Sequence, residues 1–191
     1  RGVSDFGFRI LTANLANGAA DANAFADLVE AAEPDVVVVQ ELAPDQAEAL
    51  ARVLPFGKLE PTRTHDGMGI ALRSPGSVRR LRLPYRSAFL AELAWPEDDE
   101  PVEVLNVHLA APHVHPVVQR IWDRRGQVRD VIAHLVATPR RRRVLAGDLN
   151  ATPLWPAYRR LRGHLIDAVA DAARRSGRRP VRTSGPWSGS G

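Results

Sequence analysis

Hydrophobic positions along this chain switch between two periods. Val36 to Val39 is an unbroken apolar run bounded by Pro34-Asp35 and Gln40-Glu41. A short β-branched run of this kind predicts a strand covered on both faces. Similar or shorter segments predict strands over 7–13, 56–62, 68–73, 77–82, 87–95, 101–108 and 143–147, with Pro and Gly marking hairpins between several of them. Helical spacing fills the gaps. Ala24, Phe25, Leu28 and Val29 predict a helix within 20–32, capped by Asp21 or Asn23. Pro44 suits the first turn of a helix running to about Leu54. Val117, Ile121, Val128, Val131, Ile132 and Leu135 form one face of the longest helix, 116–137. Shorter helical runs follow at 155–162 and 165–174, the second carrying Leu165, Ile166, Val169 and Ala172. The acidic stretch Glu97 to Glu100 reads as a solvated hairpin tip, and beyond Ser176 no periodicity survives. Helices alternate with strands in both halves, with a meander between. That order predicts an α/β domain in layers, helices covering two sheets, with no internal linker.

Composition narrows the setting. The chain has 191 residues, 45% hydrophobic and 25% charged, which is enough for one domain with a real core. No apolar run approaches the roughly 20 residues of a membrane span. There are no cysteines, so disulfides and thiolate zinc sites are excluded. The net charge is +4, carried almost wholly by arginine, with Lys58 the only lysine. That balance suits anionic partners, though Arg, Ala and Pro abundance together also fits biased coding. The chain begins Arg1-Gly2-Val3 without Met or an apolar leader. We therefore expect a longer natural chain, with any targeting or membrane segment outside these residues.

Four polar motifs sit at the ends of apolar runs. They are Thr12-Ala13-Asn14, Val39-Gln40-Glu41, Asn106-Val107-His108-Leu109 and Gly147-Asp148-Leu149-Asn150-Ala151-Thr152-Pro153. Polar groups at strand ends can meet on one rim of a sheet. Carboxylate oxygens, amides and an imidazole are what a hard divalent cation and a phosphate require. Glu41 suits the sparse protein coordination of Mg²⁺; the plain alternative is a solvent-facing loop acid. Asp148 and Asn150 would point the same way from an extended segment, one an acceptor and one an amide donor. An Asx-turn capping the next helix is the competing reading. Gly147 would let the backbone approach closely. His108 could serve as general acid or phosphate donor, or be a hydrogen-bonded rim histidine. His113 and His115 lie near it, but the spacing is poor for zinc and no fourth ligand is evident. Asn14 could orient a carboxylate or a phosphoryl oxygen, or simply turn the chain. The Arg140 to Arg143 run reads as the solvated start of a strand. The four tryptophans are scattered, without an evident stacking platform.

These motifs, in this order, resemble the endonuclease/exonuclease/phosphatase superfamily, the DNase I-like fold. Gly67-Met68-Gly69-Ile70-Ala71-Leu72 is similar to the family's Gly-rich central strand. The resemblance runs from about Phe8 to the end of the chain. It implies a four-layer α/β sandwich, two mixed β-sheets flanked by helices, with the site at one rim. It implies Mg²⁺ or Mn²⁺ and hydrolysis of a phosphodiester, phosphomonoester or diphosphate. By that resemblance, Glu41 is the principal metal ligand supported by Asn14 and Asp148. Asp148 and Asn150 position the attacking water and the scissile phosphate. His108 steadies the phosphoryl oxygens or assists proton transfer, so substrate contacts fall to Asn14, His108 and Asn150.

One departure stands out. The family's chain continues into a closing strand with an Asp-His pair, and no such pair follows Asp148 here. Thr183 and Trp187 stand about where that closing segment would begin. The expectation is a single domain over 1–191, incomplete at its C-terminal end, which raises the alternative of an inactive phosphate- or polyanion-binding module. Expected partners are a phosphate-bearing substrate, nucleic acid among the options, and a membrane reached through a segment outside this chain. An extracytoplasmic or membrane-tethered setting is the expectation, with the cytoplasm as the alternative. No protein partner is inferred.

Overall fold

In the computed structural model, residues 8–95, 98–138 and 142–179 are described. Among the described residues, eight strands and five α-helices follow one another: β1 Ile10–Asn14, α1 Ala22–Ala32, β2 Val36–Gln40, α2 Pro44–Val53, β3 Phe56–Glu60, β4 Met68–Leu72, β5 Ser77–Leu81, β6 Ala88–Trp95, β7 Asp98–His108, α3 Val117–Ala137, β8 Arg142–Asp148, α4 Pro156–Leu161 and α5 Ala168–Ser176. One sheet has the order β1-β2-β4-β3 and the other β5-β6-β7-β8. Both are mixed: β1 runs parallel to β2, and β7 parallel to β8, while the remaining pairs are antiparallel.

Side-chain parity builds the layers. Val36 and Val38 of β2 point between the sheets, where they meet Met68, Ile70 and Leu72 from β4 and Phe89, Ala91, Val102 and Val104 from the second sheet. Val37 and Val39 point the other way, onto Val29 of α1 and Ala47 and Leu50 of α2. The opposite face of the second sheet offers Ala88 and Val107 to Val131 and Leu135 of α3 and Leu161 of α4. The result is the expected helix–sheet–sheet–helix sandwich. All four valines of β2 are 0% exposed, and burying such a side chain is worth on the order of 1.5–3 kcal/mol. A strand buried on both faces explains why this segment shows no polar alternation. It also anchors Gln40 and Glu41 at a fixed depth.

Local chemistry sets most boundaries. Asp21 caps α1, its carboxylate accepting from Ala24 N at 2.8 Å. Glu33, left-handed at φ 46°, ends that helix before Pro34. Pro44 opens α2 as expected.

Three expectations need correction. Asp98 to Glu100 belong to β7, and Asp98 is the register partner of Trp95. The acidic stretch is therefore partly strand; Pro96 and Glu97, like the closing positions Thr183 and Trp187, lie outside the described residues. The last helix begins at Ala168, because Asp167 accepts from Ala170 N at 2.9 Å and caps it. Leu165 and Ile166 fall before that cap, and Ile166 is 80% exposed. Finally, Arg143 does not solvate its strand. Its side chain is buried, Nε lying 3.0 Å from Glu103 Oε1.

Candidate active site

Parity also builds the site. Ile10, Val36, Val38, Val102, Val104 and Ala146 all belong to the inter-sheet layer. Two or four residues further along the same strands stand Asn14, Gln40, Asn106, His108 and Asp148. They therefore emerge on the inner side of the sandwich at one rim. Glu41 follows Gln40, and strict alternation would send it toward the helices. It has φ 53°, a left-handed conformation that bends the chain at the strand end. Glu41 thereby joins the inner group despite its odd position.

Asn14 is the hub. Its Nδ2 donates to Glu41 Oε1 at 3.1 Å and to Asp148 Oδ2 at 3.0 Å. Its Oδ1 accepts from Ala16 N at 2.9 Å, which fixes the amide's orientation. His108 Nε2 lies 3.8 Å from Glu41 Oε1 and 4.0 Å from Asp148 Oδ2. The four side chains named from separate motifs thus converge. Asn14 and Asp148 are 134 residues apart, so the contact is wholly a product of the fold.

Asn150 behaves differently from the extended geometry expected. It has φ 44°, its N–H donates to Asp148 Oδ1 at 2.7 Å, and its Nδ2 donates to Leu109 O at 2.9 Å. This is the Asx-turn arrangement; it engages Asp148 Oδ1, while Oδ2 accepts from Asn14. Gly147 is required beside it. It has φ 119°, and a Cβ there would lie 2.1 Å from Val107 O.

Three residues that sequence reasoning did not single out complete the rim. Arg86 Nη1 lies 2.9 Å from both His108 ring nitrogens and donates to whichever is unprotonated. Arg86 Nε donates to Asp66 Oδ1 at 2.9 Å. His65 Nδ1 sits 2.7 Å from Glu41 Oε2. One loop between β3 and β4 therefore touches both the Glu41 carboxylate and the Arg86 guanidinium of the site. Nothing in the residue pattern of 61–67 or 82–87 signals this, because neither segment is periodic. Burial, and next the Arg86 guanidinium, lower the His108 pKa from 6.5 to about 4, against the pull of Asp148, Glu41 and Asp66. The imidazole is neutral at pH 7. His113 and His115 are exposed on the following loop, while His108 is buried.

Buried polar bolts hold the rim. Gln40 Nε2 donates to Asn106 Oδ1 at 2.6 Å, and Asn106 Nδ2 donates to Val39 O and Gly69 O. This amide pair stitches one sheet to the other directly behind the site. Asn106 carried a signal that could have been read: a polar residue at inward parity after Val102 and Val104. Arg124 of α3 donates to Ala110 O and Leu149 O, both at 2.8 Å, clamping the loops that leave β7 and β8.

The donor set fits a hard cation held sparingly. Two carboxylates share one amide donor, with side chains 17% exposed for Glu41 and 30% for Asp148. Among the described residues, no three His, Asp or Glu side chains make a complete cage. Mg²⁺ commonly needs only one or two carboxylates, filling its shell with water and substrate oxygens.

Comparison with known proteins gives the family and the fold. The model of the Endonuclease/Exonuclease/phosphatase family matches residues 11–191, and the chain belongs to that family. An endonuclease/exonuclease/phosphatase from Beutenbergia cavernae is 26% identical, with TM-score 0.59, over 78% of this chain and 50% of that one. D. rerio TDP2, solved with a single strand DNA product, is 18% identical, with TM-score 0.63, over 78% and 62%. A β hairpin deletion mutant of beta toxin from Staphylococcus aureus is 13% identical, with TM-score 0.63, over 86% and 75%. The chain thus spans half to about three-fifths of the first two. No curated protein sequence matches it.

Proposed function

We propose that this chain is a divalent-metal-dependent phosphoesterase. The observation that carries the reading is the Asn14 amide bonded to Glu41 and Asp148 together, beside a buried histidine and an arginine. Glu41 and Asp148 would hold Mg²⁺ or Mn²⁺. Bound there, the metal would neutralise charge on the phosphoryl oxygens and acidify a water.

The protein's own groups divide the remaining work. Asn14 keeps the two carboxylates at a fixed spacing. Asp148, with one oxygen on Asn14 and the other on the Asn150 backbone, is held in a single orientation. Asn150 acts through this turn, as a positioning residue. Burial and the Arg86 guanidinium lower the His108 pKa and favour the neutral ring. It serves as a hydrogen-bond donor to a phosphoryl oxygen. Arg86 adds a fixed positive charge at the same place, steadied by Asp66. Positioning and charge neutralisation are what phosphoryl transfer most requires.

Phosphodiester, phosphomonoester and diphosphate substrates all suit this set, and nucleic acid is one source of the first. The test is hydrolysis of plasmid DNA, a generic phosphodiester, a phosphomonoester and a polyprenyl diphosphate, with Mg²⁺, Mn²⁺ or EDTA. Glu41→Gln and Asp148→Asn should each lower metal-dependent turnover by roughly 10³-fold. Unchanged turnover in either variant would sink the reading. Metal-dependent phosphate binding without turnover on any substrate would replace it with the inactive binding module.

A further inference from the structure

The α3 end nearest the site carries apolar side chains that the core does not use. Val118, Ile121 and Trp122 are 69%, 38% and 61% exposed. Their i, i+3, i+4 spacing puts them on one stripe. On the loop after β8, Leu154 is 84% exposed and Trp155 39%. Both groups adjoin the site. Arg120, next to Ile121, lies 3.6 Å over the Tyr85 ring, and Tyr85 precedes Arg86, the partner of His108. Arg124 lies 5.5 Å from the Trp155 ring and binds the carbonyl of Leu149, next to Asp148.

Charge surrounds the stripe asymmetrically. Along the first part of α3, Arg120 pairs with Asp123 at 3.0 Å and Arg129 with Asp130 at 2.7 Å, while Arg124 is buried on backbone carbonyls, so Arg125 is the surplus surface charge there. Arg125 stacks on Trp122 at 5.1 Å. Arg159, Arg160 and Arg162 follow Leu154 and Trp155 with no acid between.

We propose that this α3 face, with Leu154 and Trp155, docks onto an anionic lipid surface and sets the site against the headgroups. An aromatic and aliphatic stripe flanked by arginines is the chemistry of an interfacial helix. Nucleic acid would use the arginines and could stack a base on Trp122, but it would give the aliphatic Leu154 and Val118 little to bury against. A second copy of this face would bring the surplus positive charge of Arg125, Arg159, Arg160 and Arg162 against its own like. That docking delivers a lipid headgroup phosphoester to the site rests on the phosphoesterase reading above; the docking itself does not.

Co-sedimentation in EDTA tests docking without turnover, using vesicles of phosphatidylcholine alone or with about one-third phosphatidylglycerol. The wild-type chain should partition onto the anionic vesicles and much less onto the neutral ones. The Trp122→Ser/Leu154→Ser double variant, checked for native circular dichroism, should lose roughly tenfold or more of that partitioning. Arg125→Glu/Arg129→Glu should remove the preference for anionic lipid. Glu41→Gln should dock like wild type, so a failure of catalysis and a failure of docking read out separately. Absence of wild-type partitioning would overturn the proposal. So would a serine double variant that binds like wild type, or a wild-type dimer in solution that this variant abolishes.

Discussion

Two clusters in this molecule contain the same three residue types. At the rim stand Glu41, His108 and Arg86; between the second sheet and α3 stand Glu103 of β7, Arg143 of β8 and His134 of α3. In the second cluster His134 Nε2 and Arg143 Nε each lie 3.0 Å from Glu103 Oε1, and Glu103 is 1% exposed. Arg143 also binds the Leu135 carbonyl, so the cluster closes the end of α3 onto the sheet. At the rim, by contrast, His108 stops 3.8 Å from Glu41 and turns to Arg86. Its carboxylates share an amide instead of taking an arginine. Two anions held side by side, with positive charge kept to one edge, make a place for a cation and a phosphate. A buried carboxylate closed by an arginine and a histidine makes a structural joint. Residue type does not separate the two clusters; pairing and access do.

The largest expected difference is functional. Glu41→Gln should cost roughly 10³-fold in metal-dependent turnover while leaving stability within about 1 kcal/mol, because it removes one of two adjacent carboxylates. Glu103→Gln should do the reverse. Removing the acid from a buried ion cluster costs about 3–5 kcal/mol, read by urea denaturation, with turnover per folded molecule unchanged. A Glu103→Gln protein as stable as wild type would dissolve the contrast.

Acid should separate wild type from a His108 variant next. The unfolded chain takes up this proton near 6.5, whereas the folded protein resists it until about 4. His108 therefore contributes stability that is complete above pH 6.5 and is lost as pH falls toward 4. The full contribution is about 3 kcal/mol at ~1.4 kcal/mol per pKa unit. Urea melts in EDTA at pH 7, 5.5 and 4.5 should show His108→Gln losing correspondingly less stability than wild type. Parallel losses would mean that His108 is not held neutral.

The smallest effect belongs to His65. Its ring orients Glu41 from a side chain that is 68% exposed, so His65→Ala should weaken Mn²⁺ binding by about tenfold, the lower end for a supporting partner. Calorimetric titration with Mn²⁺ reads this directly, and unchanged affinity would assign His65 to the surface alone.

The path from residues to site was readable in unequal parts. Asn14, Glu41, His108 and Asp148 each end an apolar run, and strand geometry alone requires that they sit at strand ends. Their meeting needed the sheet order, since β1 and β8 contribute to one hub from different sheets. Asn150 illustrates the limit. Alternation placed it beside Asp148, but its left-handed backbone wraps it into a turn and gives its amide to Leu109. Arg86, His65 and Asp66 left no periodic trace because loops have none.

The sequence by itself determined the elements, the doubly buried β2 strand and the family of the chain. Those depend on local chemistry: valine runs, an aspartate cap, a proline at a helix start, and motifs of a few residues. Tertiary structure alone decided which acid, histidine and arginine form an open site and which form a closed joint. That distinction is a matter of distances between residues far apart in the chain, and of what water, metal and substrate can reach.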